Sequence, residues 1–170
     1  MVTDTIRRFV ANGIELDSGD VLEADVVVKA TGLELLFLGH VDVSVDGRGI
    51  DTSKALIYRG MMVSDLPNLA FTMGYTNASW TLKADLTNHF VCRLLNYMRR
   101  HGYSSCVPHN SDPGIAEEPY MDFSSGYVQR ALDRLPKQGS RAPWRLHHNY
   151  VADIVALRLK PIADAALIFS

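Results

Sequence analysis

The stretch "PNLAFTMGYTNASWTLKAD", residues 67–85, decides how this chain is read. Its first part, residues 69–73, is a short apolar run of the kind that forms a strand buried on both faces. From about Ser79 the period changes: Leu82, Leu86, Phe90, Leu94 and Met98 recur at helical spacing, with Val91 and Leu95 beside them. Ser79 or Thr81 suits the N-cap, and Arg99, Arg100 and His101 followed by Gly102 make a typical helix end. Between strand and helix lie Gly74 and small polar residues. In open α/β sheets, ligands sit at the carboxyl ends of strands, and a glycine there lets backbone approach where any Cβ would clash. Ala30-Thr31-Gly32, a strand end of the same kind, also has a plainer reading as a strand-ending glycine that supplies a turn, and neither strand end is decisive singly. Tyr75 and Trp80 read by default as core aromatics.

The same design recurs upstream. Val26, Val27 and Val28 read as a parallel-sheet strand, which breaks at Thr31-Gly32. Before it, apolar residues alternate around Asn12-Gly13, a strong hairpin signal over residues 6–16. Residues 33–66 look irregular, with strand pieces at 41–45 and 55–58 and a turn at Asp46-Gly47. After the long helix, residues 103–120 are polar and read as a loop. Residues 126–132 suggest a short helix closed by Leu135-Pro136, and residues 149–159 another, with Tyr150, Ile154 and Leu157 on its apolar face. Two separated buried strands and one long helix do not make the regular β-α-β alternation of a complete doubly wound sheet.

Composition narrows the class. The 170 residues are 47% hydrophobic and 21% charged, with a formal net charge of −2, as in an ordinary globular protein. The basic pairs Arg7-Arg8 and Arg99-Arg100 are too short and scattered to track a phosphate backbone, so no nucleic-acid partner is expected. No apolar run approaches the ~18 residues that span a bilayer. The first residues lack the apolar core of a signal peptide. Cys92 and Cys106 make no disulfide framework, so a reducing, cytoplasmic setting is expected. Asn77-Ala78-Ser79 matches a glycosylation sequon, which without a secretory signal reads as chance. His147-His148 and the Cys106 to His109 spacing have no partner pair downstream and read as surface or loop residues, not metal ligands. No Gly-x-Gly-x-x-Gly, Walker lysine loop or Gly-x-Ser-x-Gly elbow is present; Gly47-Arg48-Gly49 lacks the third glycine.

Three blocks in order resemble one family. "ADVVVKATGLEL" (24–35) resembles the Ala-Thr-Gly motif of class B flavoprotein monooxygenases, which include the flavin-containing and Baeyer–Villiger monooxygenases. "YRGMMVSDLPNLAFTMGYTNASWTLKADL" (58–86) is similar to the segment where their chain returns to the FAD domain. "SSGYVQRALDRLPKQGSRAPWRL" (124–146) looks like the C-terminal region of the bacterial branch with thioamide-activating enzymes. The resemblance runs from about residue 5 to 168; Lys29, directly before Ala-Thr-Gly, departs from it and would be costly on a buried strand.

The resemblance implies an α/β fold: the C-terminal part of a flavoprotein with two dinucleotide-binding domains, incomplete as a stand-alone Rossmann domain. Residues 1–32 would end the inserted NADP-domain region and carry the return strand. Residues 33–170 would be the C-terminal part of the FAD domain with a helical cap. It implies FAD and NADPH as cofactors, with Thr31, Gly32, Gly74, Asn77, Ala78 and Ser79 near the flavin and Trp80 at the flavin or the substrate cavity. It places no catalytic side chain in this chain, because both Gly-rich fingerprints and the reactive arginine lie upstream of Ala-Thr-Gly in the family. The implied reaction inserts one atom of O2 into a ketone or a soft nitrogen or sulfur centre of a small organic substrate. A competing expectation is a non-catalytic subunit that pairs with an N-terminal partner chain or self-associates; a third is an unrelated binding domain using the groove above Gly74.

Overall fold

Alternation around Asn12-Gly13 produces the expected hairpin. β1 (Ile6–Val10) and β2 (Gly13–Leu16) pair antiparallel, with Phe9 opposite Ile14 and Val10 opposite Gly13, and β3 (Val21–Glu23) adds to the far side of β2. Gly13 is obligatory here: a Cβ would lie 2.0 Å from the Leu22 carbonyl oxygen. The structure, a computed structural model, describes every residue except 76, 77 and 122. It divides into two units, Met1–Leu33 and Glu34–Ser170. In the first, Leu16 is buried while Ile6, Phe9 and Val21 are exposed.

The parallel-sheet reading of Val26, Val27 and Val28 does not hold. They form no strand, and their exposures are 78%, 44% and 82%. A doubly buried parallel strand exists only between two neighbours, and no neighbour pairs with this run among the described residues. Lys29 is likewise exposed, so its charge carries no burial cost.

In the second unit, β4 (Ser44–Val45) and β5 (Arg48–Gly49) form a hairpin over Asp46-Gly47, whose φ values of 51° and 77° suit a type I′ turn. β6 (Ile57–Tyr58) and β7 (Met62–Val63) form a second hairpin over three residues, Arg59, Gly60 and Met61, the first two at positive φ. α1 (Trp80–His101) is the main element and ends at left-handed Gly102, with three basic residues in its last turn. Its buried face is Lys83, Leu86, Thr87, Phe90, Leu94 and Met98; Leu82, expected on that face, is exposed. Leu86, Phe90 and Leu94 pack with Tyr58, Met61, Met62, Trp144 and Leu157.

Residues 103–120 are not simply a loop. They contain β8 (Cys106–Pro108) and β9 (Glu117–Pro119), each completed by a distant strand. After α2 (Gly126–Gln129), β10 (Lys137–Gly139) pairs with β9. α3 (Tyr150–Ile154) runs into a wider π turn, Val155–Leu159, and β11 (Leu167–Phe169) pairs with β8. All ladders among the described residues are antiparallel; one isolated parallel bridge joins Leu56 to Lys137. The second expected parallel strand, residues 68–73, is also absent. Leu69, Phe71 and Met73 are half-buried against the core, while Ala70 and Thr72 face outward. Among the described residues no helix is long and apolar enough to cross a membrane.

Candidate functional site

Gly74 brings the incoming segment against the start of α1. A Cβ on Gly74 would lie 2.1 Å from Trp80 Cγ, so the missing side chain is the seat of the indole ring. Trp80 is nevertheless 61% exposed, and its other surface lines a groove of about 300 Å³. Leu36, Phe37, Phe71, Met73 and Met121 form much of that groove, and no charged residue lines it. Phe37 meets Phe71 edge-on at 5.1 Å, fixing one wall.

Trp80 is also the first residue of α1, so the positive end of a 22-residue helix opens beside the groove. Ser79 occupies the N-cap position, but its side chain caps no backbone N–H; its Oγ lies 2.7 Å from Thr81 Oγ1. The first turn holds no acidic residue. Donor groups and dipole are therefore left for an electron-rich partner.

Behind the groove is a polar chamber of about 20 Å³, room for roughly one water, which shares Met73, Tyr120 and Met121 with it. Asp153 Oδ2 there accepts from Tyr75 Oη at 2.6 Å and from Lys83 Nζ at 2.8 Å. The Lys83 and Asp153 side chains are each only 8% exposed, and the ammonium lies 5.5 Å from the Tyr75 ring centroid. Burial pushes the Tyr75 phenol well above its ordinary range, and its hydrogen bond to Asp153 adds to the shift. His148, also lining the chamber, is held below its ordinary pKa chiefly by burial and then by the Lys83 charge, with Asp153 opposing.

The structure brings together some of the residues expected from sequence and leaves others apart. Gly74 and Trp80 meet directly, and Ala78 and Ser79 lead exposed into α1. Asn77 lies outside the described residues. Thr31 and Gly32 belong to the first unit, exposed and in no regular element, with Gly32 at φ 94°. The Tyr75–Asp153–Lys83 cluster was missed, although a signal existed. Lys83 stands one turn before Leu86 and Thr87 on the buried face of α1, and Asp153 lies between Tyr150, Ile154 and Leu157. Opposite charges on two apolar helical faces need each other. Among the described residues no three His, Cys, Asp or Glu side chains gather as a metal site would require.

Comparison with known proteins gives a consistent picture. The FAD-containing monooxygenase EthA of Mycobacterium tuberculosis is 52% identical over 170 residues, 100% of this chain and 35% of that protein. EthA of Mycolicibacterium smegmatis is 45% identical over 170 residues, with the same coverage. AlmA of Acinetobacter baylyi, whose name describes an FAD-binding monooxygenase, is 47% identical over 168 residues, 98% of this chain and 34% of its own length. The chain thus spans about a third of the length of these relatives. No family model matches it, and no solved structure is detectably similar.

Proposed function

We propose, from the premise that this chain belongs to the FAD-containing monooxygenases, that it supplies one wall of the flavin site and the substrate-side groove beside it. The observation that carries this reading is the uncapped positive end of α1 opening, at Trp80, onto an uncharged groove walled by aromatic and aliphatic side chains. Those residues fit the ring of a flavin: flat apolar faces for a planar aromatic system, and backbone donors for its electron-rich edge. They do not fit its phosphates, since these 170 residues hold no Gly-x-Gly-x-x-Gly. In this proposal the phosphates are held by residues beyond them.

FAD, when bound, supplies the oxygen chemistry, with NADPH as its reductant, and the acceptor is a ketone or a soft nitrogen or sulfur centre. This chain's own residues bind, orient and exclude water. Trp80, seated on Gly74, presents a fixed aromatic face. Phe37, Phe71 and Met73 keep the groove dry. Tyr75 and Lys83, both tied to Asp153, hold the approach segment and the first turns of α1 to α3.

The test is co-expression of this chain with the portion of a curated relative that it does not span. The expected product is a yellow complex that oxidises NADPH when O2 and a ketone or sulfide are present. Replacing Trp80 with alanine should weaken flavin retention. The chain by itself should purify colourless. A folded complex without flavin, or one whose flavin occupancy ignores Trp80, overturns the proposal.

A further inference from the structure

We propose that the second unit carries a separate binding site for a small oxyanion of the phosphate type, in the cavity between the β6–β7 turn, α1 and the π turn that follows α3. The cavity is about 50 Å³, space for about three to five waters by that measure and so for one phosphate group. Arg59, Lys83, Arg145 and Lys160 line it with His147, and the one carboxylate among the lining residues is Asp153. Among the described residues these four permanent cations have three carboxylate partners, Asp164, Asp153 and Glu118, so net positive charge remains that an anion would answer.

Two of the four are built into the interior. The Arg59 and Lys83 side chains are each 8% exposed. Arg59 is fixed on both sides, its guanidinium 5.3 Å from the Tyr58 ring centroid and 5.2 Å from that of Phe90. Its counter-ion, Asp164 at 2.8 Å, is not among the cavity's lining residues. The same holds for Arg145, whose Nη1 meets Glu118 at 3.1 Å. Of the three counter-ions only Asp153, the partner of Lys83, lines the cavity; those of Arg59 and Arg145 do not.

The donor count points the same way. Lys83 engages one of its three N–H groups, with Asp153. Arg145 engages Nη1, leaving its other nitrogens without an acceptor among the described residues. The Lys160 ammonium has no acceptor among the described residues either; only the main chain of that residue is engaged, its carbonyl accepting from Arg93. An excess of charged donors lining one cavity suits a ligand made only of acceptors, and a dianionic phosphate answers more of the charge than a carboxylate.

The cavity shares Lys83 and Asp153 with the polar chamber, but its test does not need flavin. The full 170-residue chain is dialysed to equilibrium against radiolabelled inorganic phosphate, with chloride matching the ionic strength. Thermal unfolding at the same phosphate concentrations provides a second measurement. One saturable site per chain is expected, with an unfolding midpoint that rises alongside occupancy. Arg145→Gln and Lys160→Gln, both at exposed positions outside the core, should each weaken phosphate binding about tenfold. Adenosine monophosphate, run as a competitor, distinguishes the source: displacement at equal concentration means the phosphate can enter as part of a nucleotide, and none means a free anion. Absence of saturable binding by both ligands, or equal affinity in wild type and the Arg145→Gln, Lys160→Gln double variant, overturns the proposal.

Discussion

Asp153→Ala separates positioning from packing in the polar chamber. The change leaves the Lys83 ammonium without its counter-ion and the Tyr75 hydroxyl without its acceptor, both in a nearly enclosed space. Breaking a buried ion pair by removing one partner costs about 3–5 kcal/mol, and an orphaned hydroxyl about 1–3 kcal/mol. The two do not add fully, because one water fits the chamber and can answer part of each. Some 3–4 kcal/mol remains, which lowers the unfolding midpoint of a chain this size by about 6–16 °C. Lys83→Met leaves the carboxylate buried with one donor and should cost a similar amount. The Tyr75→Phe, Lys83→Met, Asp153→Leu triple variant keeps the volume and removes all three members of the cluster, so it should lie within about 1 kcal/mol of wild type or above it. Thermal and urea unfolding followed by circular dichroism at neutral pH reads all four proteins. If Asp153→Ala falls within 1 kcal/mol of wild type, or the triple variant is as unstable as the single, the buried-charge reasoning is wrong.

Three further outcomes are expected. Phe90, wholly buried at the centre of α1 and beneath Arg59, should cost about 3–5 kcal/mol as Phe90→Ala in urea unfolding, and a cost below 1 kcal/mol would contradict its place in the core. Burial depresses His148 below its ordinary 6.5, so the unfolded chain takes up its proton first; stability should be full above pH 6.5, decline as pH falls through that value, and do so less in His148→Gln. Burial, with Asp164 adding to it, pushes the Cys106 thiol up to about 11 while Cys92 is exposed, so iodoacetamide should label Cys92 alone until the chain unfolds, as peptide mass mapping would show.

The parts of the fold legible in the sequence are those whose cause is local. Both hairpins form where Asn-Gly and Asp-Gly signal them: Asp46-Gly47 is itself the two-residue turn, while the first turn is Ala11-Asn12 with Gly13 opening β2. α1 announces itself by period, basic last turn and terminal glycine. Illegible were the pairings that close over distance. β8 finds β11 some sixty positions later, and three-residue strands carry no pattern long enough to show a period. The apolar runs at 26–28 and 68–73 failed for a third reason. An unbroken apolar run records a demand for neighbours on both faces, and here that demand is unmet in the first case and met on one side only in the second.

The site shows the same division, with one instructive exception. Gly74 and Trp80 were singled out separately, as a close approach and as an aromatic border, and the structure makes them one feature: the glycine exists because the indole sits where its Cβ would be. That shifts the reason for Gly74 from a ligand to Trp80, the residue placed beside the flavin in the proposed function. It follows that Gly74→Ala should act through Trp80, turning the indole and changing its fluorescence in a Trp144→Phe background before any flavin is added. The same logic applies to Lys83 and Asp153. Each looked unremarkable alone, yet each interrupts an apolar helical face, and such interruptions in two helices of opposite sign mark where the helices meet. The chamber they build joins the groove on one side and, through Lys83 and Asp153, the cationic cavity on the other. A ligand in the cationic cavity therefore acts on that ion pair, so phosphate bound at Arg145 and Lys160 should alter the Trp80 emission in the Trp144→Phe background and not once Lys83→Met is added to it.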